Sequence, residues 1–281
     1  IKLSEQWQAI LGLRHDQFKT HYENLKTNQI IEVSDNLISP RAGLIFKPLE
    51  NLSIYGSYSL SYVPRAGDQL ISFTATTRSL QPEKFVNREI GAKYDVTPDL
   101  SLTAAVYKLE RQNVAITDPA NTSQNIIVDG QETKGAELGI AGKMSDHWSM
   151  FGGYSYQDAI FTKTMTISGS SYLAGTTLGQ TPSHTFSLWN RYEFNENWGA
   201  AIGVISRSHM YALTPTTSAS TILPGYARLD AAIFWKASPK IQVQVNLENL
   251  TDKDYVASAH TNNNITPGAP LSARATLTYN F

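Results

Sequence analysis

A β-strand turns successive side chains to opposite faces, and the segment from Leu271 to Phe281 keeps that rule without exception. Leu271, Ala273, Ala275, Leu277, Tyr279 and Phe281 share one face; Ser272, Arg274, Thr276, Thr278 and Asn280 share the other. One face is wholly apolar or aromatic and the other wholly polar. The same division recurs upstream: Ile241, Val243, Val245 and Leu247 oppose Gln242, Gln244, Asn246 and Glu248, and Phe186, Leu188, Tyr192 and Phe194 oppose Thr185, Ser187, Arg191 and Glu193. Val86, Ile90, Ala92, Tyr94 and Val96 make a fourth apolar row, broken only by Arg88, which should then sit near a rim. Period-2 alternation runs end to end, and helical periodicity is weak throughout.

Short turns rich in Pro, Asn, Asp and Ser fall at Pro48-Leu49-Glu50-Asn51, Thr97-Pro98-Asp99, Ser145-Asp146-His147, Asn195-Glu196-Asn197 and Ser238-Pro239-Lys240. Long connections rich in Thr, Ser, Asn, Gly and Pro alternate with them, over 20–37, 64–82, 113–130, 161–181, 210–224 and 256–269. About twelve strands of roughly 10 to 13 residues result, long enough to cross a thin bilayer at the usual tilt. A soluble sandwich also alternates, but it has no reason to keep its short and long connections on opposite sides. The expected fold is therefore all-β: a transmembrane antiparallel β-barrel wall, short turns periplasmic and long loops extracellular. Trp148 and Trp198 directly after short turns, and Phe46, Phe194 and Trp235 before them, suit an interfacial aromatic girdle.

The totals agree. A mean hydropathy of -0.26 does not exclude a membrane barrel, whose lumen-facing residues offset its lipid-facing ones. No apolar run approaches the roughly 20 residues of a spanning helix. The opening IKLSEQWQAI lacks the basic, apolar and small-residue regions of a signal peptide, so either the mature chain starts at Ile1 or the true start lies upstream. Zero cysteines exclude disulfides and thiolate metal sites, and a net charge of -1 without basic clusters argues against a nucleic-acid partner.

Four segments, in order, resemble the barrel of TonB-dependent siderophore receptors. Residues 79–113 are similar to the family's L-x-P-E…E-x-G-x-K hairpin, and 135–159 to its G-x-E-x-x-x-x-G…W-x-x-x-x-x-Y-x-Y hairpin. TPSHTFSLWNRYEF follows in the expected place. The stretch from Leu223 to Phe281 resembles the family's closing three strands, with its N-L-T-D-K-x-Y block and a G-x-P before the last strand. The resemblance implies that residues 1–281 are the C-terminal part of a barrel of about 22 strands, with plug and signal peptide absent. It further implies import of a ferric siderophore across the bacterial outer membrane, energised through the TonB complex, and the NNNITPGAP loop looks most like catecholate-type receptors. No cofactor is implied, since iron travels inside its chelator.

Such a ligand, often anionic and aromatic, calls for cations and aromatic faces in the long loops. The candidates are Tyr62, Arg65, Arg78, Lys163, Tyr172, Arg207, His209, Tyr211 and His260. For each, a tyrosine of the upper aromatic belt or a base contacting lipopolysaccharide or solvent is the plainer alternative. Arg14, Arg41, Glu89, Lys93, Glu137, Arg191, Arg228, Asp230, Glu248 and Arg274 fall on lumen-facing positions, where mixed charges would form networks that hold a plug. Phe281 resembles the C-terminal aromatic signal read by the barrel-assembly machinery. Two other functions remain open at this level: a self-contained pore or binding barrel of about twelve strands, and an outer-membrane hydrolase using Ser206, Ser208 and His209 at the rim. The histidines have no H-x-x-x-H or H-E-x-x-H spacing, so no metal site is expected. If the wall is an arc of a larger barrel, its edges near Trp7 and Phe281 lack partners, and the isolated chain should close into a smaller barrel or be unstable.

Overall fold

The computed structural model describes residues 1–26, 28–63, 80–117, 125–167, 170–217 and 220–281. Twelve strands form one antiparallel sheet in simple sequence order. They are β1 (Trp7–Asn24), β2 (Gln29–Leu49), β3 (Leu52–Val63), β4 (Glu83–Thr97), β5 (Leu100–Gln112), β6 (Gln131–Lys143), β7 (Trp148–Phe161), β8 (His184–Glu193), β9 (Trp198–Arg207), β10 (Tyr226–Lys236), β11 (Ile241–Glu248) and β12 (Ser272–Tyr279). Each strand pairs with its predecessor and successor in the wall, the up-and-down connectivity of antiparallel hairpins, here joined alternately by short turns and longer connections.

The register carries the alternation across the whole wall. Leu44, Gly56, Ile90, Val106, Ala136 and Tyr156 lie in one cross-strand row, and Trp198, Trp235 and Val243 in another. On this face large apolar side chains stand open: Ile90 is 64% exposed, Leu138 59%, Ile202 51% and Leu277 69%. An apolar surface this extensive is not stable against water, so this is the lipid face. The opposite face carries Glu89, Glu137, Arg191, Arg228, Asp230, Asn246 and Arg274 and is the lumen wall.

The five expected short turns are present, and three of them share a device. Asn195 Oδ1 accepts the backbone N–H groups of Asn197 and Trp198 (2.9 Å each). Ser238 Oγ does the same for Lys240 and Ile241, and Ser145 Oγ accepts Trp148 N–H. A sixth turn, unnoticed in the sequence, is capped by Ser4 Oγ at Gln6 and Trp7, and through it Ile1 pairs back on Ala9. At this end of the wall the girdle forms: Trp7 stacks on Phe46 at 4.6 Å and Trp198 on Trp235 at 5.5 Å.

One expectation about the strands needs correction. The connection placed at 20–37 is mostly strand: β1 and β2 continue as a paired ribbon up to Asn24 and from Gln29, with Asn28 at φ 52°. Along this part of β2 Ile31, Asp35 and Leu37 are buried and Glu32, Ser34 and Asn36 exposed, but the carboxylate in the covered row and the mixed residues facing it on β1 (Asp16, Phe18, Thr20, Tyr22) blur the apolar alternation that marks strands elsewhere while the ladder persists. Among the described residues β1 and β12 stand at the two ends of the sheet, as expected of an arc of a larger barrel. Four of the other long connections hold short ribbons, Val114–Thr117 with Asn125–Val128, Met165–Ile167 with Ser170–Tyr172, Met210–Tyr211 with Ile222–Leu223, and Val256–Ala259 with Ile265–Pro267, while most of the fifth, 64–82, lies outside the described residues.

Candidate functional site

Functional chemistry concentrates where the lumen wall meets the long connections. The block Asn249-Leu250-Thr251-Asp252-Lys253-Asp254-Tyr255 folds the last of these connections onto the wall. Asn249 is fully buried at φ 57°, a left-handed conformation that Asn tolerates better than most residues. Its side-chain amide donates to the carbonyls of Lys253 and Ala269 (3.0 Å each), and its Oδ1 accepts Lys253 N–H. Asp230, 2% exposed on β10, accepts Asn249 N–H (2.8 Å) and the Arg228 guanidinium (2.7 Å). Asp252 accepts Leu271 N–H. Tyr255 accepts Arg228 Nη1–H (2.8 Å), faces the Tyr226 ring at 4.4 Å and covers Gly268, where any Cβ would fall 2.1 Å from the ring.

Arg207 at the end of β9 extends this cluster. Its guanidinium lies 5.0 Å from the Tyr226 ring and donates to the Val256 carbonyl, while its Nε, like that of Arg228, is buried without a partner. The surrounding connections are laced together. Gln180 N–H donates to Tyr211 O (2.8 Å), its side chain to Ala259 O (3.0 Å), and Gly179 N–H to Thr214 Oγ1 (2.9 Å). Two apolar clusters brace the collar: Val114, Phe161 and Met165, and Met210, Ala212, Leu223 and Ala259. A rim of packed cations and tyrosines over a hydrogen-bonded collar can hold an anionic aromatic ligand by charge and ring contact.

Lower on the lumen wall the expected ionic residues sit in local networks. Tyr55 donates to Glu89 (2.6 Å) and packs over Gly91; Tyr107 packs in the same way over Gly135, two residues before Glu137. Arg191 lies 3.9 Å from the Phe234 ring and bonds Glu193, Arg14 bonds Asp16, and Lys93 pairs with Asp95. Arg41 covers Gly12, while Glu248 and Arg274 occupy lumen positions opposite Ser272 and Asn246. Sequence reasoning missed Arg111, which makes paired contacts to Glu83 and a bond to Gln131 on the same face. The alternation of β5 (Leu109, Arg111) would have placed it there.

The loop candidates divide. Arg207 and Tyr211 belong to the collar; Tyr172 stacks on Phe161 at 5.1 Å; Lys163, His209 and His260 are exposed. Tyr62 is on β3 rather than a loop, and its even-numbered parity puts it with Tyr58 on the lipid face. Arg65 and Arg78 lie outside the described residues. Ser208 Oγ donates to His209 O and accepts His184 N–H, so its hydroxyl is tied to backbone, and Ser206 has lipid-face parity beside Phe186 and Ala227. Phe281 follows the end of β12, fully exposed, edge-on to Tyr279 at 5.1 Å.

Residues 1–250 match the family model for the TonB dependent receptor-like β-barrel. The chain belongs to that family. Over its full length this TonB-dependent receptor barrel is 28% identical to the probable TonB-dependent siderophore receptor PiuA of Acinetobacter baumannii, of which it covers 39%. Over 88% of its length it is 29% identical to the catecholate siderophore receptor Fiu of Escherichia coli, covering 33% of that protein. The crystal structure of PiuA superimposes on 99% of the chain with a TM-score of 0.85, covering 41% of that structure. The chain thus spans about two-fifths of the length of curated relatives it matches along its whole length, and as a receptor barrel of this family it is an outer-membrane protein of Gram-negative bacteria.

Proposed function

We propose that the chain forms the C-terminal part of the barrel wall of a receptor that imports a ferric siderophore, energised through TonB. The observation that carries this reading is the match to the receptor barrel over residues 1–250, with relatives named as siderophore receptors. The collar supports it with a suitable surface: Arg207, Arg228, Tyr226 and Tyr255 present cations and rings where the lumen opens. In this reading the ligand meets the collar, Tyr211, Lys163, Tyr172, His209 and His260 being the neighbouring contacts. Glu89, Glu137 and the other lumen ions hold a plug supplied by the rest of the receptor. Phe281 serves the assembly machinery.

The test is uptake of radioactive iron by cells that express the intact receptor in a strain lacking its own siderophore receptors. Accumulation from at least one ferric catecholate, abolished by deleting tonB, is the expected result. Equal accumulation with and without the receptor across catecholate, hydroxamate and carboxylate chelates would refute the import reading.

A further inference from the structure

On the lumen face of β6 to β8 the side chains around Phe151 are small or polar: Gly139, Gly153, Ser155, Thr185 and Ser187. Phe151 shares their parity, two residues from Gly153 on β7, and is 69% exposed. One exposed ring is ordinary on any surface. This one heads a patch. Directly opposite it stands Trp189, at the cross-strand position where neighbouring side chains meet. Trp189 in turn lies over Gly203, where any Cβ would fall 2.4 Å from its ring. Two residues nearer the short turn, Arg191 lies 3.9 Å from the Phe234 ring and bonds Glu193 through Nε (2.7 Å). Ser149 links Arg191 in register to Lys143, two strands away in the same row. Strands β7 to β10 thus gather three rings and a guanidinium on one part of the lumen wall.

The same pairing of cation and ring recurs at the collar, where Arg207 faces Tyr226 and Arg228 faces Tyr255. The two places lie on the same strands. Thr185, the cross-strand partner of Arg207, is six residues from Arg191 along β8, about 20 Å at about 3.3 Å per residue. Because β8 ends at Glu193, the lower patch lies beside the short turns, at the exit side of the lumen. Passage through a pore needs binding strong enough to admit the solute and weak enough to release it, and several weak sites meet that demand better than one tight site.

We infer that Phe151, Trp189, Arg191 and Phe234 form an exit-side station for the ferric chelate, an anion bearing aromatic rings, on its way down the lumen. Its rings pack against Phe151 and Trp189, and its anionic oxygens meet Arg191 and Lys143. The station comes into use when the plug has moved, which frees Arg191 from holding it. The inference rests on the import reading and adds to it a second site, set apart from the collar.

The test is uptake of the radioactive ferric complex of 2,3-dihydroxybenzoylglycine by cells expressing the intact receptor, beside equilibrium binding of the same complex to tonB-deleted cells. Phe151 is mostly exposed, so F151S removes the ring with little loss of wall packing. F151S should lower the maximal uptake rate about fivefold, the worth of one ring contact, and leave binding to the tonB-deleted cells within about twofold. F151L, which keeps the bulk without the ring, should lose rate as F151S does, and F151Y should keep the wild-type rate. Wild-type rates in F151S or F151L overturn the station. So does a loss of rate accompanied by weaker binding or by TonB-independent entry of vancomycin, the signs of a residue that packs the plug. If F151S loses heat-modifiable mobility, F151L decides. No uptake by the wild type refutes import and the station together, whereas wild-type uptake undiminished in the variants refutes the station alone.

Discussion

Replacing Asp230 with Ala should release the last long connection from the lumen wall. Asp230 receives Asn249 N–H and the Arg228 guanidinium, and both Asp230 and Asn249 are buried. Removing one partner of a buried ion pair costs about 3–5 kcal/mol, mainly because the other charge is left behind. Here Arg228 keeps its bond to Tyr255 and an 18% exposed side chain, which moves the cost to the low end, about 3 kcal/mol. At about 1.4 kcal/mol per factor of ten, local opening becomes roughly a hundredfold more frequent. Hydrogen exchange in the intact receptor reads this directly at the amides of Lys253, Gly268 and Leu271, whose acceptors are Asn249 Oδ1, Tyr255 O and Asp252 Oδ1. Asp230→Asn, which keeps an acceptor for Asn249, should lose about 1 kcal/mol and about a factor of five. Exchange changing less than about threefold in Asp230→Ala, or equally in both variants, would refute the role given to the buried carboxylate.

Gly268→Ala drives a methyl into the Tyr255 ring. It should cost about 1–3 kcal/mol as overpacking, seen as faster proteolysis within residues 249–271; an unchanged cleavage rate would count against the packing. Asn195→Ala removes the acceptor for two turn amides; a loss of about 1 kcal/mol is expected in reversible urea unfolding from lipid vesicles. Ile202→Lys places a charge on the lipid face of β9, with an expected cost of about 2–4 kcal/mol if near the midplane, while Ile205→Lys, on the lumen face, should cost much less.

The wall was legible in the sequence because lipid on one side and a polar lumen on the other force a strict two-residue period. Arg88 shows the limit of that reading. As a lone exception it looked like a rim residue; only the register, which brings Lys108 and Lys134 beside it, makes it part of a row. The ribbon that extends β1 and β2 was hidden for another reason: its covered row, Ile31, Asp35 and Leu37, mixes a carboxylate with apolar residues and weakens the contrast that alternation reports. The N-L-T-D-K-x-Y block was recognisable as a pattern, yet its purpose lies in Asp230, Arg228 and Gly268, which are distant in sequence. Loop residues such as His209 and His260 remain exposed, and nothing in their local sequence separates them from plain surface.

The central claim is that each strand divides its side chains between lipid and lumen. The chain has no cysteine, so in an intact receptor freed of any cysteine elsewhere, single cysteines can be placed at Leu102, Thr103, Ala104, Ala105 and Val106 of β5 and spin-labelled in bilayers. The account predicts high collision with oxygen at 102, 104 and 106, and low oxygen with greater access to a water-soluble nickel chelate at 103 and 105. Equal accessibility along the five positions, or the opposite phase, would contradict it.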